Sequence, residues 1–89
     1  HVHTGDITSA HAASGAVRAC VTHYSRLDVL INNAGLGIVA PIPQTTDDLI
    51  EETYRLNAFA PAWMTREAWK TFAAQHAATG IGGCVINIS

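Results

Sequence analysis

Leu27-Asp28-Val29-Leu30-Ile31-Asn32-Asn33-Ala34-Gly35 is the stretch on which the fold turns. An apolar run too short for a helix stops abruptly in two amides, a small residue and a glycine, which reads as a strand running into a turn. The run from Leu27 to Ile31 is apolar on both faces. A near-continuous series of Val, Leu and Ile is ordinarily covered on both sides, as in a parallel sheet sandwiched between helices. Open parallel sheets bind ligands beyond the carboxyl ends of their strands, and small residues there let a flat ligand approach the backbone closely. Asn-rich turns that merely end a strand use the same residue types, so the rest of the chain has to decide between the two readings.

Working outward, a second apolar run, Cys84 to Ile88, reads as another strand, and a weaker one lies near Val2. Between the segment near Val2 and the Leu27 strand, Ala13, Ala16, Val17, Cys20 and Tyr24 recur at helical spacing, with Thr8 or Ser9 available as the cap. Gly15 weakens that helix by about 1 kcal/mol relative to Ala. After Pro41 and Pro43, the residues Thr45, Thr46, Asp47 and Asp48 supply a cap and the acidic first turn that a helix dipole favours. The helical pattern runs to about His76 and ends in the turn-forming run from Thr79 to Gly83. Strand, helix, strand, helix, strand implies crossover connections and a parallel sheet. The expected fold class is therefore α/β, a partial doubly wound sheet of three parallel strands with intervening helices, filling residues 1–89 as part of one domain.

Composition removes several functions. At 89 residues with 48% hydrophobic and 13% charged side chains, the chain is neither a disordered segment nor a fibrous repeat. A domain this small buries only roughly 60 to 65% of its unfolded surface. Five Lys and Arg scattered along a chain of net charge −2 make no basic stripe, which excludes a nucleic-acid platform. No run is long and apolar enough to span a membrane. Cys20 and Cys84 show no metal-ligand or redox spacing and read as small buried hydrophobes, which suits a reducing, cytoplasmic compartment. His1, His3, His11, His23 and His76 have no acidic or Cys partner to complete a ligand set, so no metal site is expected. Gly80, Gly82 and Gly83 do not form a dinucleotide fingerprint, because the third glycine would fall on Val85 and the run precedes a strand. Trp63 and Trp69, on one helix with Phe59, Met64 and Phe72, read as packing residues. With no initiator Met, a polar start and an apolar finish, the chain reads as an internal fragment.

Asn32-Asn33-Ala34-Gly35 behind an apolar strand resembles the NNAG motif of the classical short-chain dehydrogenase/reductase family. Three further stretches follow in that family's order. Gly5-Asp6-Ile7-Thr8 is similar to the segment after the third strand whose Asp contacts an adenine ring; Leu56-Asn57 with Ala60-Pro61 resembles the helix bearing the catalytic Asn; Gly83 to Ser89 resembles the fifth strand. The resemblance covers essentially the whole chain. It implies a Rossmann-type NAD(P)-binding domain in an oxidoreductase that interconverts a hydroxyl and a carbonyl group on a small-molecule alcohol or carbonyl substrate by hydride transfer, with NAD or NADP as cofactor. The site residues it implies are Asp6, Ile7, Asn32, Ala34 and Gly35 for cofactor binding and Asn57 for catalysis. Ser89 aligns with the residue before the family's catalytic Ser. The family's glycine-rich phosphate loop and its Tyr-x-x-x-Lys pair both fall outside residues 1–89, so the fragment is expected to be inactive by itself, and the residues that separate NAD from NADP are not among those present. A Rossmann-like binding or regulatory protein without catalysis is the alternative.

Pro61 stands four residues after Asn57, where a helix would use its amide to bond the Asn57 carbonyl, and a proline has no N–H to give. In the family that this stretch resembles, the main chain of the Asn holds a water on a proton path. On the same helix Pro61, Met64, Ala68 and Phe72 form one stripe, with Ala62, Trp69 and Ala73 beside it. That arc exceeds the roughly 100° that a single core contact needs. A homodimer or homotetramer formed through the helix around 57–76 is expected, and the resemblance points the same way.

Overall fold

The computed structural model describes residues 1–35, 37 and 40–88. Helix α1, Ala10–Tyr24, starts at Ser9, whose Oγ accepts from the Ala12 N–H at 3.4 Å, and ends at Ser25 in the left-handed region (φ 65°). Strand β1, Val29–Asn32, follows after a short connection. A 3₁₀ turn at Ile42–Gln44 leads to α2, Asp47–Tyr54. Its cap is Thr46, whose Oγ1 accepts from the Leu49 N–H at 3.1 Å, and Asp47 and Asp48 occupy the first turn as the dipole favours. A π-helical turn, Arg55–Phe59, joins α2 to α3, Ala60–Thr79, and strand β2, Cys84–Asn87, closes the order.

The two strands are parallel and in register from Val29 opposite Cys84 to Asn32 opposite Asn87. The pairing extends one bond past each end, from the Cys84 N–H to the Asp28 carbonyl and from the Ile88 N–H to the Asn32 carbonyl, each 3.0 Å. Helices α1 and α3 lie on one face of this pair. Val17 of α1, Leu30 of β1 and Ala68 and Phe72 of α3 form the core, with Leu27, Met64 and Val85 packed against it. Each fully buried side chain of this size contributes about 1.5–3 kcal/mol. A polar tie fixes the helix along the strand: the Gln75 amide accepts from the Leu27 N–H at 2.7 Å and donates to the Leu27 carbonyl at 2.6 Å, completing the backbone of a residue outside the ladder.

Four expectations change. The described residues hold two strands, not three: the segment around Val2 forms none. It offers a single apolar residue between two histidines, and it lies against the end of α1, where His1 stacks on His23 with centroids 4.1 Å apart. β1 and β2 are covered on one face only, and Val29, Ile31 and Ile86 remain exposed on the other. Cys20 is half-buried, but Cys84, at the start of β2, is exposed, so only the first behaves as an interior residue. Trp69 is 70% exposed and does not serve the core, whereas Phe59 and Trp63 do meet, with centroids 5.8 Å apart.

The helix also runs beyond His76 to Thr79, where Gly80 (φ 76°) turns the chain and donates its N–H to the His76 carbonyl at 2.8 Å. The continuous helix expected across Asn57 and Pro61 is continuous only in direction. Pro61 has no N–H, and a proline ring crowds the carbonyl four residues before it. The preceding turn is widened, and the Ala60 N–H reaches back five residues to the Arg55 carbonyl.

Candidate functional site

The carboxyl ends of β1 and β2 meet the start of α3, and a cavity of about 150 Å³ opens there, lined by Ile7, Ile31, Asn32, Asn33, Ala34, Pro61 and Met64. β1 brings Asn32 to this level because its apolar residues run out there. The loop beyond stays close to α3 because its residues are small. A side-chain carbon at Gly35 would stand 3.1 Å from Asn57 Oδ1, tighter than ordinary contact, so the missing side chain is what lets the Asn57 amide reach the loop. The π-helical turn carries Asn57 on an exposed surface beside that loop.

Of the residues singled out from sequence, Ile7, Asn32 and Ala34 line the cavity together, and Gly35, next along the chain, approaches Asn57 closely. Asp6 does not line it. Asp6 is exposed and closes a local turn, its Oδ1 accepting from the Thr8 hydroxyl at 2.7 Å and from the Thr8 N–H at 3.0 Å. Those two bonds, the hydroxyl first, hold the Asp6 carboxyl below the usual aspartate value. The turn sets Ile7 at the cavity and starts the approach to α1. Ser89 lies outside the described residues.

Asn32 is buried at 7% exposure, and its side chain points toward α3. Its Nδ2 donates to Asn87 Oδ1 at 2.8 Å and to Thr65 Oγ1 at 3.3 Å, so one amide group ties β1, β2 and α3 at a single level. Sequence reasoning missed this clasp. The available signal was that both strands end in Asn; Thr65 had none, since it lies 33 residues from its partner. Pro61 and Met64, which the sequence places on one apolar stripe with Ala68 and Phe72, prove to be cavity wall.

A larger groove of about 590 Å³ lies at the opposite end of the strands, between the last turns of α1 and α3, with Val21, Ala74 and Ala78 on its walls. The titratable groups on its rim are already engaged: Arg26 pairs with Asp28, and Lys70 Nζ sits 3.1 Å from Glu67. Its charged groups are thus occupied with each other. Among the described residues no three His, Cys, Asp or Glu side chains gather at one point, and no helix is long and apolar enough to cross a membrane.

A parallel pair joined by a crossover helix, with a small-walled cavity at the carboxyl ends, defines an open α/β protein, a class whose ligands bind beyond the carboxyl ends of the strands. The chain belongs to the short-chain dehydrogenase family, whose sequence profile matches residues 1–89. A cyclopentanol dehydrogenase from Comamonas is 27% identical over 84 residues, covering 94% of this chain and 32% of that protein. Among solved structures, an NADH-dependent reductase complexed with NAD superposes with a TM-score of 0.81 at 31% identity, over 92% of this chain and 34% of its own. The NADPH-dependent 3-quinuclidinone reductase of Rhodotorula rubra superposes with a TM-score of 0.84 at 26% identity, over 96% and 30%. The chain thus spans about a third of the length of the relatives it matches.

Proposed function

We propose that residues 1–89 are the central part of one NAD(P)-binding domain in an oxidoreductase that interconverts a hydroxyl and a carbonyl group on a small molecule. The observation that carries this reading is the convergence at the strand ends, where Ile7, Asn32 and Ala34 wall one cavity and Gly35 meets Asn57 beside it. The family membership and the NAD- and NADPH-dependent relatives support it. The residues fit the cofactor in kind: Ile7 and Met64 are apolar walls for a flat ring, and Ala34 and Gly35 keep the backbone approachable. The cavity, about 150 Å³, is smaller than the ~300–1,000 Å³ of a complete ligand pocket, so it takes part of a dinucleotide whose remainder lies along the strand ends.

When bound, the nicotinamide supplies or takes the hydride. This chain's residues position it. Ile7 packs the adenine end, Asp6 offers its carboxylate to the adenine amino group, Ala34 and Gly35 form the wall beside the ribose, and Asn57 acts from the widened turn. The longer protein would add a third parallel strand from the segment around Val2 and cover Val29, Ile31 and Ile86. It would work in the cytoplasm as a homodimer or homotetramer through the outer face of α3, where Ala62, Trp69 and Ala73 are exposed. Titration of the full-length protein with NADH and NADPH, followed by turnover on a panel of alcohols and ketones, tests the reading. Binding of one nucleotide with turnover is expected; binding without turnover leaves a regulatory protein, and absence of binding overturns the cofactor site.

A further inference from the structure

One hydrogen bond and one close approach frame the cavity. From Asn32 the chain runs through Asn33 and Ala34 to Gly35, which meets Asn57; from Asn57 the helix runs past Pro61 and Met64 to Thr65, which returns to Asn32 by a hydrogen bond. Asn33, Ala34, Pro61 and Met64, which lie between the two, are four of the cavity's wall residues. The gap between the loop and α3 is therefore set by the two contacts at its ends.

At the Gly35 end the approach is one of shape, since a side-chain carbon there would come within 3.1 Å of Asn57 Oδ1. The Asn32 end is held by direction. Both hydrogens of the Asn32 amide are spent, one on each neighbouring element, in a site that is 93% shielded (7% exposed), where a lost partner is not replaced cheaply by water. An apolar side chain could fill the same volume, but the start of α3 would then meet β1 through dispersion contacts alone, which have no preferred direction, because the Gln75 tie to Leu27 lies ten residues further along the helix.

We propose that Thr65 is a positioning residue for the cavity. Through the Asn32 amide its hydroxyl fixes the separation of α3 from the loop 33–35, and so the width of the slot that receives the cofactor. Asn87 anchors the other hydrogen of that amide and keeps it pointed at Thr65. This inference rests on the proposed cofactor site and deepens it: Thr65 touches no ligand, does not line the cavity, and acts through Asn32.

The test uses full-length protein with Thr65→Val, which keeps the shape and removes the acceptor, Thr65→Ser, which restores the hydroxyl, and Ala68→Gly as a control that destabilises the same helix within the core. Loss of one buried hydrogen bond, about 1 kcal/mol, corresponds to a change of about 5-fold. Thr65→Val is expected to raise the Kd for the nicotinamide nucleotide, read by fluorescence titration, by about 5-fold, with a matching rise in cofactor KM and kcat at saturation within about 2-fold of wild type. Thr65→Ser should restore the wild-type Kd, and Ala68→Gly should lower Tm without moving it. Should Thr65→Val not fold, Asn87→Ala, at an exposed strand end, releases the same amide and carries the same expectation. Equal Kd for Thr65→Val and wild type, or an equal Kd rise in Ala68→Gly, overturns the inference while leaving the site intact. A wild-type protein that binds neither NADH nor NADPH overturns the site and the inference with it.

Discussion

Gly83 stands against the face of Phe72, and replacing it with Ala should be among the costliest single-carbon changes in the chain. A Cβ built there would lie 2.1 Å from two carbons of the Phe72 ring and 2.5 Å from a third. Ordinary carbon contacts are at about 3.5–4.0 Å, so the ring or the strand must move by more than an ångström. Phe72 is 6% exposed and packed with Val17, Leu30 and Ala68, which leaves its ring no vacant direction. Overpacking of this kind costs about 1–3 kcal/mol. Complete expulsion of the ring approaches the ~3–5 kcal/mol of a Phe→Ala truncation. A loss of about 3 kcal/mol is expected, or about 6–12 °C in Tm for a domain of ~150–250 residues. Among the described residues the glycine with positive φ is Gly80, so the cost at Gly83 is steric and not conformational. Urea unfolding of the full-length protein measures it, and the pair Gly83→Ala with Phe72→Leu should be less unstable than the sum of the singles. A Gly83→Ala protein within about 0.5 kcal/mol of wild type, a typical neutral surface change, would refute the packing argument.

Asp6→Ala in the full-length enzyme should weaken cofactor binding by ~1 to 2 kcal/mol with little change in kcat; the Kd from titration decides, and equal affinities would leave Asp6 as a turn residue. Glu67 is held below the usual glutamate range, first by its bond from Lys70; desolvation, next in size, opposes this, and the charges of Lys70 and Arg18 add to the lowering. Its folded value is depressed, so its contribution is present above the ordinary glutamate value and fades as pH falls through the folded one. Glu67→Gln should therefore flatten the acid limb of a Tm-against-pH curve, and an unchanged limb would show that the cluster adds nothing. The full-length protein should sediment as a dimer or tetramer at micromolar concentration, with Trp69→Glu shifting it toward monomer; a wild-type monomer contradicts an interface on α3.

What was legible in the sequence was written locally. Ser9 and Thr46 cap the helices that their neighbours predicted, and the apolar run before Asn32 is a strand. The end of β1 brings Ile7, Asn32 and Ala34 to one cavity. The illegible features depend on partners far away along the chain. Thr65 and Asn32 are 33 residues apart, Gln75 and Leu27 are 48 apart, and Gly83 looks like another turn glycine until Phe72 is placed against it. Periodicity assigns a face to a residue and says nothing of what lies opposite.

The wide arc of α3 shows the difference most plainly. A helical wheel places Pro61, Met64, Ala68 and Phe72 on one stripe, but the wheel assumes 100° per residue throughout, and the chain enters α3 through a π turn that changes the phase between α2 and α3. Within α3 the spacing holds: Ala68 and Phe72 enter the core, while Pro61 and Met64, one turn apart near its start, sit where the helix passes the strand ends and become cavity wall. One apolar stripe thus passes from core to cavity wall where the sheet ends beneath it, with Met64 serving both. The remaining arc, Ala62, Trp69 and Ala73, is satisfied by neither, and a helix that leaves a Trp 70% exposed on such a face has apolar surface still to cover. The width of the arc and the position of Pro61 are both visible in the sequence, but their meaning separates only once β1 is known to stop at Asn32.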